Sequence, residues 1–249
     1  MKLFSNGVAV IEEDALSQVE GTRRYRVPVS QAMGARDIAQ YVSAYSEGIS
    51  VARRNPVGEE ALYVVNGTGA CYIDGYSYAL ARGTAVYVPP GSVYQIENSA
   101  ERELLEIVSV CCPEDEETEI ETTPVSRAPH DTKPFRSVRE EDVEAIAVSD
   151  RSFKLLVNQE LGARRITQFV GVIPPGRAPM HHHTYEEAIY IIDGEGRVHT
   201  NDGDAEFKSG SSIYLPRLVS HCVENTGSTD VHLLGVFHPS GRPDVAYDD

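Results

Sequence analysis

The 249-residue sequence has no apolar run approaching the ~18 residues that cross a bilayer as a helix. Its start, MKLFSNGVAVIEED, turns polar before a secretory core could form, so a cytoplasmic protein with no membrane partner is expected. Cysteine is scarce: Cys71, Cys111, Cys112 and Cys222 have neither secretory context nor paired metal spacing, and read as reduced thiols rather than a disulfide framework. Basic residues are also short, 22 against 38 acidic, and the formal net charge of −16 repels nucleic acid and anionic surfaces at long range. With no DNA-binding helices or basic arm either, a nucleic-acid partner is not expected. Much of the acid sits in Pro113-Glu-Asp-Glu-Glu-Thr-Glu-Ile-Glu121, which reads as a solvated connection.

What is present is an ordinary globular composition, 41% hydrophobic and 24% charged, on a chain long enough for one large core or two modest ones. An internal repeat decides between them. Glu60 and Glu187, Gly67 and Gly194, Gly83 and Gly210, Pro89 and Pro216, and Asn98 and Asn225 all recur without a gap at a separation of 127, as 187 lies from 60. Tyr63-Val-Val-Asn-Gly-Thr-Gly69 parallels Tyr190-Ile-Ile-Asp-Gly-Glu-Gly196, and the lead-in VIEED at 10–14 parallels VREED at 138–142. The organisation expected is a unit at 1–112, an acidic linker at 113–134 and a second unit at 135–249.

Within each copy, short β-branched and aromatic runs alternate with Gly, Asn-Gly, Asp-Gly and Pro-Gly turns, the pattern of antiparallel hairpins in a sandwich or barrel. Only Ser137 to Ala145, with Ser137 and Glu140 spaced as a capping box, reads as briefly helical.

Met180-His-His-His-Thr-Tyr-Glu-Glu187 holds three of the eight histidines. In a strand, His181 and His183 share a face and His182 points the other way. Glu187 opens the next apolar strand, and His221 follows Pro216. Taken alone, the run reads equally as a solvated histidine loop or as metal ligands. Three neutral imidazoles and a carboxylate suit one divalent ion such as Mn, Fe, Ni, Co or Zn, with open positions for substrate or water.

Gly176, His181, His183, Glu187 and Gly194 resemble the first motif of the cupin superfamily, and Gly210, Pro216, His221 and Asn225 resemble the second. The resemblance places the family's metal ligands on His181, His183, Glu187 and His221. It implies an all-β fold of two tandem jelly-roll barrels packed in one chain, a bicupin. Two departures are visible: Gly176 lies one residue closer to the first histidine than usual, and Leu218 replaces the glycine usual after the proline. In the first copy, the 127-residue offset lands on Arg54, Pro56 and Tyr94, leaving only Glu60 as a ligand. That copy is expected to be metal-free and to support the pair by packing.

Arg164, Arg165, Arg177 and Arg217 cluster in sequence around the proposed site. Arg165 is the candidate fork for a substrate carboxylate, with Tyr190 and Tyr214 as further candidates at the cavity. His199, His232 and His238 read as half-buried structural residues. No organic cofactor is indicated. The function expected is that of a metal-dependent bicupin acting on a small, anionic organic molecule, with dioxygenase chemistry as the leading reaction class. The alternatives are a metal-dependent hydrolase, decarboxylase or isomerase, such as a ureidoglycine aminohydrolase-like enzyme, or a non-catalytic small-molecule binding cupin. Self-association is left open.

Overall fold

A computed structural model of the chain describes residues 1–12, 14–113, 119–121 and 133–244. Apart from three 3-10 turns, the elements among the described residues are all strands, in four antiparallel sheets. In the first half a seven-stranded sheet, in the order 137–139, 84–88, 59–66, 105–112, 39–45, 23–29 and 18–20, faces a sheet built on strands 76–81, 68–73, 93–98 and 52–54. In the second half an eight-stranded sheet, running 2–3, 9–11, 212–215, 186–193, 231–238, 167–173, 151–157 and 146–148, faces a four-stranded one. The expected pair of tandem β-barrels is what the chain forms. No helix among the described residues is long and apolar enough to cross a membrane.

The sheets do not respect the 1–112 and 135–249 boundaries. Ala9–Ile11 pairs with the second half, Ala9 opposite Tyr214 and Ile11 opposite Ser212. Ser137–Arg139 pairs with the first, opposite Val86 to Thr84. The two lead-ins noticed as repeats are therefore exchanged, each extending the other barrel's sheet. The helical reading of Ser137 to Ala145 gives way with them: Ser137 is in this strand, only Glu140–Asp142 turns, and Glu140 receives the Tyr63 hydroxyl at 2.5 Å instead of capping. Part of the acidic connection is also a strand, since Glu119–Glu121 pairs with Ala52–Arg54. Residues 114–118 and 122–132 of the expected 113–134 linker lie outside the described residues.

Three apolar clusters follow from strand alternation. One fills the first barrel around Leu62, Ile73, Tyr78 and Ile96, and one fills the second around Phe169, Ile189, Ile191, Ile213 and Phe237. The third lies between the barrels and draws Tyr63, Val108 and Val110 from one side and Ile166, Tyr214 and Val236 from the other.

Two buried carboxylates cross that interface in opposite senses. Glu186 accepts the backbone N–H groups of Arg36 at 3.0 Å and Asp37 at 2.8 Å, with the Tyr214 hydroxyl at 2.7 Å. Glu59 accepts those of Arg164 at 3.0 Å and Arg165 at 2.9 Å, and bonds the Tyr87 hydroxyl, whose pKa burial and this carboxylate push up to about 12. The donating loops, Gln-Ala-Met-Gly-Ala-Arg at 31–36 and Gln-Glu-Leu-Gly-Ala-Arg at 159–164, end their turns on Gly34 at φ 107° and Gly162 at φ 101°. A side chain would be strained at that angle, which glycine adopts freely.

Charge-assisted hydrogen bonds in a dry interface are worth about 1.5–3 kcal/mol each, and removing the acceptor strands buried donors. Glu186→Ala is therefore expected to lower stability by about 3 kcal/mol, read as a fall in the urea midpoint at unchanged slope. Arg36→Ala keeps the donating backbone and should shift it by less than about 0.5 kcal/mol. Equal midpoints for the two variants would refute the clasp.

Candidate metal centre

The His181 to Glu187 segment reaches the second barrel as a strand start, a turn and a new strand. His181 forms an isolated antiparallel bridge with His221, each backbone N–H donating to the other's carbonyl at 3.0 and 2.8 Å. His183 follows two residues on, and its carbonyl accepts the Leu218 N–H at 2.7 Å. The three rings form a near-equilateral triangle, with centroids 4.9, 4.8 and 5.1 Å apart. One ring nitrogen from each lies within 4.8 Å of the others. An ion at ~2.1 Å from each nitrogen spans at most about 4.2 Å, so a small ring rotation closes the set. His182 lies outside it, as the alternation predicts.

In two of the three rings the second nitrogen is already fixed. Nδ1 of His221 lies 2.8 Å from the Val219 carbonyl and Nδ1 of His181 lies 3.1 Å from that of Pro179. A carbonyl accepts only, so each Nδ1 carries the proton and Nε2 keeps its lone pair. Burial, aided by the neighbouring His181, lowers the His221 pKa to about 4 and keeps that ring neutral. His183 stacks on Tyr185 at 4.4 Å, which stacks on Phe237 at 4.1 Å, an aromatic column that holds the ring against the barrel wall.

Glu187 is the second residue of strand Glu186–Asp193, and alternation sends it into the barrel with Ile189 and Ile191 while Glu186 faces the interface. It is 4% exposed, has no hydrogen-bond partner among the described residues, and burial pushes its pKa up to about 8. It lies outside the mutual 4.8 Å set of the three imidazoles. Gly235 makes room for it: a Cβ there would stand 2.7 Å from Glu187 Oε1 and 2.3 Å from Phe169 Cε1. Three converging imidazoles, two with Nδ1 spent on a carbonyl, near a buried carboxylate with no hydrogen-bond partner among the described residues are a donor set that fits a divalent ion.

A cupin domain family model matches residues 46–111 and, again, 169–237. The chain belongs to the cupin family. Among relatives, a segment of 66 residues is 41% identical to the oxalate-binding protein of Thermotoga maritima, covering 26% of this chain and 54% of that protein, so about half of that relative's length is spanned. Among solved structures, oxalate decarboxylase from Bacillus subtilis superposes with a TM-score of 0.72 at 17% identity, over 89% of this cupin and 73% of that chain. Protein YlbA from E. coli superposes with a TM-score of 0.73 at 16% identity, over 95% and 93% of the two chains. These two likenesses establish the bicupin fold.

The remaining sequence candidates sit elsewhere. Tyr190 packs against the cluster between the barrels, Tyr214 donates to Glu186 there, and Arg165 is exposed with its N–H on Glu59. All three belong to the interface, not to the histidine triangle. Arg217 bonds Asp37 at 2.9 Å, His238 Nδ1 lies 3.0 Å from the Arg165 carbonyl, and His199 lies 2.6 Å from Glu224.

The first barrel also needs a corrected correspondence. Arg53, not Arg54, stands opposite Tyr94, as His181 stands opposite His221. The Asn55 carbonyl accepts the Gly91 N–H at 2.6 Å, as that of His183 accepts Leu218. Arg53, Asn55, Glu60 and Tyr94 therefore occupy the places of His181, His183, Glu187 and His221. The repeat shifts from 128 to 127 between Asn55 and Glu59, so the single-residue gap falls after the histidine positions, while the short spacing after Gly176 is shared by Gly48 and Arg53 in the first copy.

That correspondence sets Gly91, at φ 75°, against Leu218 at φ 62° and 66% exposed. A leucine held left-handed costs ~1–2 kcal/mol. Leu218→Gly, after the extra chain entropy of glycine, is expected to raise stability by about 0.5–1 kcal/mol, a gain of roughly 1–3 °C in Tm by calorimetry. A loss of stability would show that the leucine side chain, not the backbone, governs this turn.

Proposed function

We propose that the second barrel holds one divalent ion on His181, His183 and His221, with Glu187 as fourth ligand, and that the protein acts there on a small organic carboxylate. The observation that carries this reading is the convergence of three imidazoles, two of them with Nδ1 turned to a backbone carbonyl, beside a buried carboxylate that has no hydrogen-bond partner among the described residues. Bound there, a divalent ion supplies a Lewis acid and an open position for an anionic oxygen. The chain's own part is to hold His221 and His181 in the right tautomer through the Val219 and Pro179 carbonyls, and to brace the His183 ring on Tyr185. It also keeps bulk water off one side through the column of Tyr185 and Phe237.

A carboxylate as substrate class agrees with the oxalate named for the relative and for the solved decarboxylase. The dioxygenase class expected from the sequence draws no support from those relatives, which name binding and decarboxylation instead. A non-catalytic reading has an observation in its favour. The cluster filling this barrel carries one phenol, Tyr185, and Arg165, Tyr190 and Tyr214, the side chains expected to do acid–base or anchoring work, lie at the interface.

Untagged protein is expected to carry close to one equivalent of a divalent metal by elemental analysis. His183→Ala should lose most of it while the circular dichroism of the strands is unchanged, and full retention would overturn the ligand assignment. Oxygen uptake and carbon dioxide release with oxalate and related carboxylates then separate the classes. Metal-dependent turnover supports the enzyme, whereas saturable binding without turnover supports the binding protein.

A further inference from the structure

In the first barrel, a guanidinium replaces one of the imidazoles. Arg53 stands opposite Tyr94, and Arg23 stands opposite Tyr45, on the strand faces that point inward. Both positive charges act on the Tyr45 and Tyr94 hydroxyls, as does the Glu60 carboxylate, so the two guanidinium groups face the same pair of phenols. Glu60 accepts the Tyr94 hydroxyl at 2.8 Å. Arg53 bonds Glu20 through Nη1 at 3.0 Å, near the surface.

Arg23 is different. It is 2% exposed, its Nε donates to Ser43 at 3.0 Å, and its plane lies 4.2 Å from the Tyr25 ring and 5.4 Å from that of Tyr41. No carboxylate pairs with it among the described residues. Arg23 Nη1 and Arg53 Nε are both buried without a hydrogen-bond partner. Leaving a desolvated cation and two N–H donors unmet costs several kcal/mol, a cost that an anion between them would remove. Tyr25 and Tyr41 are only partly buried, so the cluster lies near a mouth rather than in a sealed core.

We infer that the first barrel binds a small carboxylate between Arg23 and Arg53. The planar guanidinium fork matches a carboxylate in two-point geometry, and the flanking tyrosine rings fix the plane of Arg23. This site is independent of the metal centre, and its test uses protein that cannot hold the ion.

The full chain carrying His183→Ala and His221→Ala is titrated calorimetrically with oxalate and, separately, with acetate and inorganic phosphate, at constant ionic strength. Saturable binding of a carboxylate is expected, weakened roughly tenfold or more by Arg23→Gln and by Arg53→Gln, and unchanged by Arg24→Gln at an exposed neighbour. Absence of saturable carboxylate binding, preference for phosphate over both carboxylates, or equal affinity in all three arginine variants would overturn the inference. Should an arginine variant fail to fold, crystals of the double-histidine variant grown with saturating oxalate decide. Density between the two guanidinium groups supports the site, and a barrel empty of oxalate refutes it.

Discussion

The reciprocal clasp of Glu59 and Glu186 is the constraint on which the rest of the structure depends. Each carboxylate opens the long central strand of its own barrel and is gripped by backbone N–H groups of the other. In an interior of low dielectric, an anion with fixed donors tolerates little rotation or slippage of its strand. Side chains alternate, so pinning Glu186 to the interface directs Glu187 into the barrel, and pinning Glu59 does the same for Glu60. The adjacent pair Glu-Glu-Ala, present at 59–61 and 186–188, is thus one device with two ends: one residue joins the barrels and the next equips the interior. A register slip of one residue would swap their roles and bury the wrong carboxylate in each place.

Much of this was legible in the sequence. The duplication, the hairpin punctuation and the three histidines carried the fold and the core of the site, because turn residues and period-2 spacing act locally. The same parity could have ruled out Tyr190, which lies an odd number of residues from Glu187 and so faces away from it. Tyr214 fails for a reason that needs register: it pairs with Ala188, an interface position. The strand exchange could not be read at all, since three-residue lead-ins pair equally well with either sheet, and only the assembled edges decide. The Gly-Ala-Arg turns were visible as a second repeat at 34–36 and 162–164, offset by 128 rather than 127, and that change of offset is the signal that locates the single-residue gap.

The gap matters because it changes which side chain stands where. An ungapped offset puts Arg54 in the place of His181, yet Arg54 stands opposite Val93, and Arg53 is the residue opposite Tyr94. Inside the first barrel, the corrected set is a guanidinium, an amide, a carboxylate and a phenol. The amide of Asn55 is spent on Cys111 Sγ at 3.0 Å, and the phenol of Tyr94 on Glu60. Neither offers an imidazole nitrogen, and Arg53 brings positive charge of its own, so the chemistry there disfavours a cation.

The two barrels thereby serve as controls for each other. Glu60 and Glu187 occupy the same place on equivalent strands, are equally buried at 4% exposure, and differ only in company. Glu60 has a hydroxyl at hydrogen-bond distance and a guanidinium nearby. Glu187 has neither, and burial alone raises its pKa. A buried carboxylate without a partner is costly, and the repeat shows that this fold can supply one at that position from its own side chains. In the second barrel it supplies three imidazoles instead, and at least His181 and His221 turn their Nδ1 protons to backbone carbonyls and leave Nε2 with its lone pair. Without an ion, burial keeps a proton on Glu187, and a cation held by the imidazoles would displace that proton and take the carboxylate as a ligand.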